Sequence, residues 1–354
     1  MTIKISKIKS ICILRLSAIG DVTHVLPVVA TLQKAIPDIK ITWVIGQFEY
    51  KLLEGLKGVD FILFDKRQGR IAYKKLKNQL SNITFDVLLH MQYSFRANRA
   101  AWKIKAKTRV GFDKKRSREL HGLMLNKRIQ AVEKQHVLDS FMEFAKALGV
   151  NEPVYQWNIT TSKADQQIVK QFINPEKRNV IISPCSSNKL RNWSNENYAQ
   201  IINYMCETYG AHVILCGGPS AYEIETAEEI ENFSNHPVTN ITGKDTLKQL
   251  FALMRLADLV ISPDSGPMHI ANAAQTPVIG LHAATTAVRS GAYSYPELAI
   301  DCFEQAAIQI LKKSPDKIRW GGQIIQEGVM DLITVDKVKE KIDVVFKSNP
   351  DTFR

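Results

Sequence analysis

Ser10-Ile-Cys-Ile-Leu-Arg-Leu16, followed at once by Ser17-Ala-Ile-Gly-Asp-Val22, is the stretch on which the fold turns. Four apolar residues in a row after Ser10 read as a strand buried on both faces. Gly20 lets the chain turn, and the apolar spacing over residues 21–35 is helical, with Pro37 beyond its end. A strand that runs through a short turn into a helix opens a βαβ unit. Working outward, residues 40–45, 59–64 and 85–90 read as further strands, with a basic segment, 70–80, between the last two. The second half repeats the alternation. Residues 179–183 form a strand, 195–209 a helix and 211–216 a strand, and Gly217-Gly218-Pro219 breaks the chain before a Glu-rich helix. Helix, strand, helix and strand follow over 246–256, 259–262, 267–274 and 278–282. The expectation is an α/β protein of two Rossmann-like, doubly wound domains facing each other across a cleft. They cover residues 1–165 and 166–335, and a closing segment, 336–354, holds an amphipathic helix and a tail with Pro350.

Length agrees with that division. A chain of 354 residues, 45% apolar and 23% charged, is long for one core. Its 18 Gly and 13 Pro are ordinary, and no apolar run approaches the roughly 18 residues a membrane-spanning helix needs. The basic, apolar start is interrupted by Arg15 and leads to Gly20-Asp21 without a small-residue cleavage site, so a strand in a cytoplasmic protein is expected rather than a secretory signal. The five cysteines are odd in number, far apart and never paired as CxxC, which leaves neither a disulfide framework nor a zinc site. Net charge is +12, but residues 1–150 hold 28 Lys and Arg against 12 Asp and Glu, and the remainder carries −4. Residues 67–128 alone hold 17 basic side chains against 3 acidic ones. Such a field attracts nucleic acid, anionic lipid headgroups or a polyanionic substrate, and composition does not choose among them.

Four segments can carry chemistry. In Leu14-Arg-Leu-Ser-Ala-Ile-Gly-Asp-Val22 the turn brings backbone N–H groups to the carboxyl edge of the sheet. It is neither GxGxxG nor a P-loop, and Asp21 stands there as a candidate proton acceptor or a simple helix cap. In Ser183-Pro-Cys-Ser-Ser-Asn-Lys-Leu-Arg-Asn-Trp193 the hydroxyls of Ser186 and Ser187 with the cations Lys189 and Arg191 suit a diphosphate, or a solvated loop. Ser262-Pro-Asp-Ser-Gly-Pro-Met-His269 is again strand, turn and helix, with Asp264, Ser265, Gly266 and His269 at the helix start. In Gly217-Gly-Pro-Ser-Ala-Tyr-Glu223 a carboxylate, Glu223, could meet a sugar hydroxyl. No cluster has metal-ligand spacing and no Asp-x-Asp is present, so no metal or other cofactor is expected.

In this order and at these separations the four segments resemble glycosyltransferase family 9, the ADP-heptose:lipopolysaccharide heptosyltransferases. The most specific matches are Ser17-Ala-Ile-Gly-Asp-Val22, residues 189–193 and Asp264-Ser-Gly-Pro-Met-His269. The resemblance implies a GT-B fold whose last helix returns to the first domain. It puts the catalytic base on Asp21 and donor contacts on Gly20, Ser186, Ser187, Lys189, Arg191, Glu223, Asp264, Ser265, Gly266 and His269. Serines stand where threonines are often found at the hydroxyl pair. Acceptor contacts fall on Lys66, Arg67, Arg70, Arg96 and Arg118. The implied partners are ADP-heptose, Kdo–lipid A or a heptosylated inner core, and the inner leaflet of the cytoplasmic membrane reached through basic residues. The implied reaction is single-step, inverting and metal-independent. Another nucleotide sugar, such as a hexose donor, stays open. So does a basic nucleic-acid-binding protein, although no helix-turn-helix, zinc finger or RNP-like pattern is present and nucleic acid is not the expected partner.

Overall fold

The computed structural model describes residues 5–348 and falls into two compact units that divide between Thr160 and Thr161, five residues before the expected boundary. In the first unit β1 (Ser10–Leu14), β2 (Lys40–Gly46), β3 (Val59–Phe64), β4 (Thr84–His90), β5 (Lys105–Gly111) and β6 (Lys127–Arg128) form one parallel sheet in the order β3-β2-β1-β4-β5-β6. Its helices are α1 (Ile19–Ala35), α2 (Gln47–Leu53), α3 (Arg70–Gln79), α4 (Phe95–Ala101) and α5 (Val137–Ala147). The second unit has β7 (Asn179–Ile182), β8 (His212–Leu215), β9 (Thr239–Asn240), β10 (Leu259–Pro263), β11 (Val278–His282) and β12 (Ile300–Asp301), in the order β12-β11-β10-β7-β8-β9. Its helices are α6 (Lys163–Lys170), α7 (Asn195–Tyr209), α8 (Ala221–Phe233), α9 (Leu247–Met254), α10 (Gly266–Ala273), α11 (Ala287–Ser290), α12 (Phe303–Gln309) and α13 (Val335–Lys347). In both sheets the first strand lies at the centre, flanked by the second and the fourth. This is the Rossmann order, and its switch point opens at the carboxyl ends of those strands, where α/β proteins bind ligands.

Burial follows from the crossovers. Helices on both faces leave the central strands no solvated side, and Ile11, Cys12, Ile13 and Leu14 are fully buried, as are Val180, Ile181 and Ile182. Each such aliphatic side chain contributes about 1.5–3 kcal/mol relative to exposure. Trp43 of β2 is buried too, and its indole N–H donates to the Arg15 carbonyl (3.1 Å), so the chain leaving β1 is fixed from the neighbouring strand.

Two elements run against the sequence pattern. β5, Lys105-Ala-Lys-Thr-Arg-Val-Gly111, looks like a solvated basic run, yet it pairs with β4 along its length. Lys107 donates to Asp86 (2.8 Å), and the Arg109 guanidinium donates to the carbonyls of Met124, Ile104 and Ala101 at 2.6–2.8 Å. Part of the basic excess is therefore spent inside the first unit. The closing helix α13, expected to return to the first domain, packs on α7 of the second unit. The Tyr204 and Tyr209 hydroxyls donate to Asp343 (2.5 and 2.6 Å), and Arg178 donates to the Phe346 carbonyl (2.8 Å). The tail with Pro350 lies outside the described residues.

Candidate active site

In the first unit the chain leaves β1 with a charged residue, Arg15, at the end of an apolar strand. Its side chain is 10% exposed, donates to the Met91 carbonyl beyond β4 (2.6 Å) and lies over the Phe141 ring (5.2 Å). The other arm of the guanidinium pairs with Asp21. Asp21 is in the first turn of α1 and does not cap it, since the N-cap is Ala18 and makes no side-chain bond. Its side chain is 33% exposed, so the carboxylate is held from behind by a buried cation and open in front. Gly20, expected among donor contacts, is buried beside it in the first unit, and its carbonyl accepts the Thr23 hydroxyl (2.7 Å).

Beside this turn is an open cleft of about 310 Å³ whose wall includes Ser17, Gly46, Glu49, Lys66, Arg67 and Arg96. Three of the five expected acceptor residues thus meet in one place. Arg70, at the start of α3, and Arg118, in the loop after β5, are exposed outside that wall. Arg67 is partly engaged, donating to Asp65 (3.0 Å) and Gln47 (3.3 Å), and it holds the Asp65 carboxyl down at about 2. Glu49 is, with Asp65, one of two acids in this basic wall. Burial pushes its carboxyl above the ordinary value, against its own backbone N–H and the charges of Lys66 and Arg15.

The second unit assembles its candidate residues at the equivalent edge. Ser186 and Ser187 follow β7. The Ser186 N–H donates to Asn192 (2.7 Å), and the Asn192 amide donates to the Tyr222 hydroxyl (3.0 Å), while Lys189 lies over the Tyr222 ring at 3.8 Å. Arg191, 13% exposed, donates to Ser187 (3.0 Å) and faces Asp264 (3.8 Å), which bridges the loops after β7 and β10. Trp193 anchors the segment, being buried and donating to the Ile333 carbonyl (2.8 Å). Asp264 also faces His269 (3.7 Å) and accepts from Ser290 (3.2 Å). Burial alone would raise its carboxyl, but the hydrogen bond from His269 and the charges of His282 and His269 outweigh it and hold the group below the usual range. His282, at the end of β11, is fully buried, and that burial lowers its pKa. Ser265 is the N-cap of α10 but turns its hydroxyl to Ser262 (2.9 Å), so it leaves the first N–H groups of α10 without a side-chain cap. A helix start left in this way favours phosphate. Glu223 behaves differently from the expectation: its carboxylate accepts from the Gly218 N–H (2.5 Å) and from Ser220 (3.1 Å) and so closes its own turn.

Four residues of this geometry are missing from the sequence reading: Arg15, Asn192, Ser290 and His282. Arg15 and His282 left a signal, a lone charged or polar side chain ending an apolar strand. Asn192 and Ser290 left none. Among the described residues no group of three His, Cys, Asp or Glu is placed to hold a metal ion.

The model of glycosyltransferase family 9 (heptosyltransferase) matches residues 73–316. The chain belongs to glycosyltransferase family 9. This family 9 protein is 40% identical over 93% of its length, and 95% of the relative's, to the lipopolysaccharide core heptosyltransferase OpsX of Haemophilus influenzae. It shares its fold with a glycosyl transferase family 9 crystal structure from Veillonella parvula (TM-score 0.80, 22% identity, 98% and 99% of the two chains). It shares it also with the E. coli heptosyltransferase WaaC bound to ADP (TM-score 0.73, 21% identity, 95% and 99%). The two units of this glycosyltransferase are the paired Rossmann-like domains of the GT-B class.

Proposed function

We propose that the protein transfers a heptose from ADP-heptose to the Kdo-bearing inner core of lipopolysaccharide at the inner leaflet, in one inverting step that needs no divalent metal. The observation that carries the reading is the Arg15–Asp21 pair in the turn after β1, a turn whose Leu16 and Ser17 line the cleft together with Lys66, Arg67 and Arg96. A carboxylate whose rotamer is fixed by a buried cation, and whose face is open, is placed to take the proton from an acceptor hydroxyl as that oxygen attacks the anomeric carbon. The cations beside it match the carboxylate and phosphate groups of an acidic glycolipid.

Charge developing on the departing diphosphate is met in this reading by Arg191, Lys189, the Ser186 and Ser187 hydroxyls and the start of α10. In this reading these groups supply the positive charge that a divalent metal would otherwise bring to the leaving group. Asp264 orients Arg191 and His269 rather than touching the anion itself. The donor's heptose identity is supported by the relative named above and by a neighbouring structure, the E. coli heptosyltransferase WaaC with ADP-2-deoxy-2-fluoro heptose.

The test is ADP release from ADP-heptose with Kdo–lipid A or a heptosylated core as acceptor, in EDTA. Release that depends on Kdo–lipid A supports the donor, the metal independence and the first-heptose assignment together. Release only with the heptosylated core moves the protein to a later addition. A folded protein that releases ADP with neither acceptor overturns the reading.

A further inference from the structure

A surface of the first unit is left unused by this reaction. On α4 the usual distribution is inverted. Ala97, Ala100 and Ala101 are fully buried, which lets the helix lie close to the sheet. Phe95, Arg99 and Trp102, spaced i, i+4 and i+7, form one outward stripe on which Phe95 is 63% and Trp102 69% exposed. Against α4 lies the short 3-10 turn His121–Met124; Leu120, just before it, and Leu123, within it, are 68% and 73% exposed.

The backbone there is specific. Glu119 and Leu120 both adopt positive φ, 50° and 62°, a region that leucine rarely enters. It is held by Asn98, which donates to the Glu119 carbonyl (2.6 Å), and by the Glu119 carboxylate, which accepts the Phe95 N–H. The fold thus spends two hydrogen bonds on a segment that turns a leucine outward. Cations surround the patch. Arg99 lies over the Tyr73 ring of α3 (4.3 Å), and Arg70 and Lys77, three back and four forward on that helix, flank Tyr73. Glu119, an acid adjoining the patch, is already engaged by the Phe95 N–H.

This chemistry selects the occupant. A second copy would bring the same cations face to face, and Leu120 and Leu123 put two bulky aliphatic side chains next to Phe95 and Trp102, which suits acyl chains better than stacked bases. The boundary between headgroups and acyl chains of an anionic bilayer takes an indole at the interface, leucines below it and cations at the phosphates. We propose that this face of the first unit docks on anionic phospholipid, with Phe95, Trp102, Leu120 and Leu123 entering the interface and Arg99 and Lys77 meeting headgroups. The proposal deepens the reading of a membrane-glycolipid acceptor and rests on it. Its surface is nonetheless separate, since none of the four apolar side chains lines the cleft.

Flotation with phosphatidylethanolamine/phosphatidylglycerol vesicles, free of any glycolipid or sugar nucleotide, scores docking independently of transfer. The full chain should float with these vesicles and not with phosphatidylcholine. The triple variant Trp102→Ser, Leu120→Ser, Leu123→Ser should lose at least tenfold in partitioning, and Arg99→Glu with Lys77→Glu a comparable amount. Both should keep the wild-type rate of ADP release on a soluble, deacylated Kdo acceptor. Equal flotation of variants and wild type overturns the proposal. So does failure of the wild type to float, a wild-type dimer that the substitutions convert to monomer, or tight oligonucleotide binding that the same substitutions abolish.

Discussion

In the first unit the turn after the central strand β1 delivers a single carboxylate, Asp21, clamped by Arg15. In the second, the turn after the equivalent strand β7 delivers two hydroxyls and two cations, tied by Arg191 to a carboxylate after β10. The strand order around both turns is the same. Topology therefore decides where a ligand can sit, and a handful of loop side chains decides which kind. The units differ also in what they bury. The first holds His90 and His121 against one amide oxygen: His90 Nε2 (2.9 Å) and His121 Nδ1 (3.1 Å) both reach Asn98 Oδ1, and His121 Nε2 accepts the Phe112 N–H (3.2 Å).

That network gives the largest expected difference. Both rings must be neutral there. Burial sets His90 well below its ordinary value and takes His121 to about 4. A histidine depressed by folding contributes its stability fully above the unfolded pKa of about 6.5 and loses it as pH falls towards the folded value. Between pH 7 and pH 5, before most carboxylates titrate, urea titrations should show a loss of about 2 kcal/mol from His121, with His90 adding in the same direction. An unchanged unfolding midpoint over that window would refute the neutral pair.

The next prediction separates the two edges chemically. Asp21→Asn should cut turnover by about 10²-fold or more while ADP affinity, measured by calorimetry, stays within a factor of about two. A mutant near the wild-type rate would remove Asp21 as base. Arg191→Ala should do the opposite, weakening ADP binding by about 10- to 100-fold, as expected for a lost charge-assisted bond. If it instead left ADP binding intact and lowered only turnover, the division of labour between the units would fail. The smallest effect is expected from Arg15→Lys, which keeps the charge and loses the fork that reaches both Met91 and Asp21. Turnover should fall by about tenfold with ADP affinity unmoved, and a stability loss without that kinetic change would make Arg15 merely structural.

The same comparison shows what could be read in advance. Strands at 59–64 and 278–282 and the helix at 195–209 are legible to the residue because apolar runs or periods end at unmistakable turn signals. The placement of Asp21, Ser186, Ser187, Arg191 and Asp264 in turns after strands is legible for the same reason. β5 is hidden because its basic side chains fold back onto Asp86 and backbone carbonyls, and α4 because its alanines face inward. β6, β9 and β12 are two residues long and have no period to detect. Arg15's partner at Met91 and Ser290's at Asp264 join segments 76 and 26 residues apart, and local spacing does not encode such meetings.

The bond from Trp193 to the Ile333 carbonyl also sets an order of events during synthesis. Everything that holds Asp21, including Met91 and Phe141, has been made by the time the first unit is complete, so that carboxylate can be set while the ribosome is still reading the second unit. The loop bearing Ser186, Ser187 and Arg191 waits much longer. Its tryptophan peg has nothing to lock into until residue 333 emerges, roughly 10–30 seconds later at about 5–20 residues per second. On a nascent chain the first unit's acid is therefore in place before the loop with Ser186, Ser187 and Arg191 in the second is pinned.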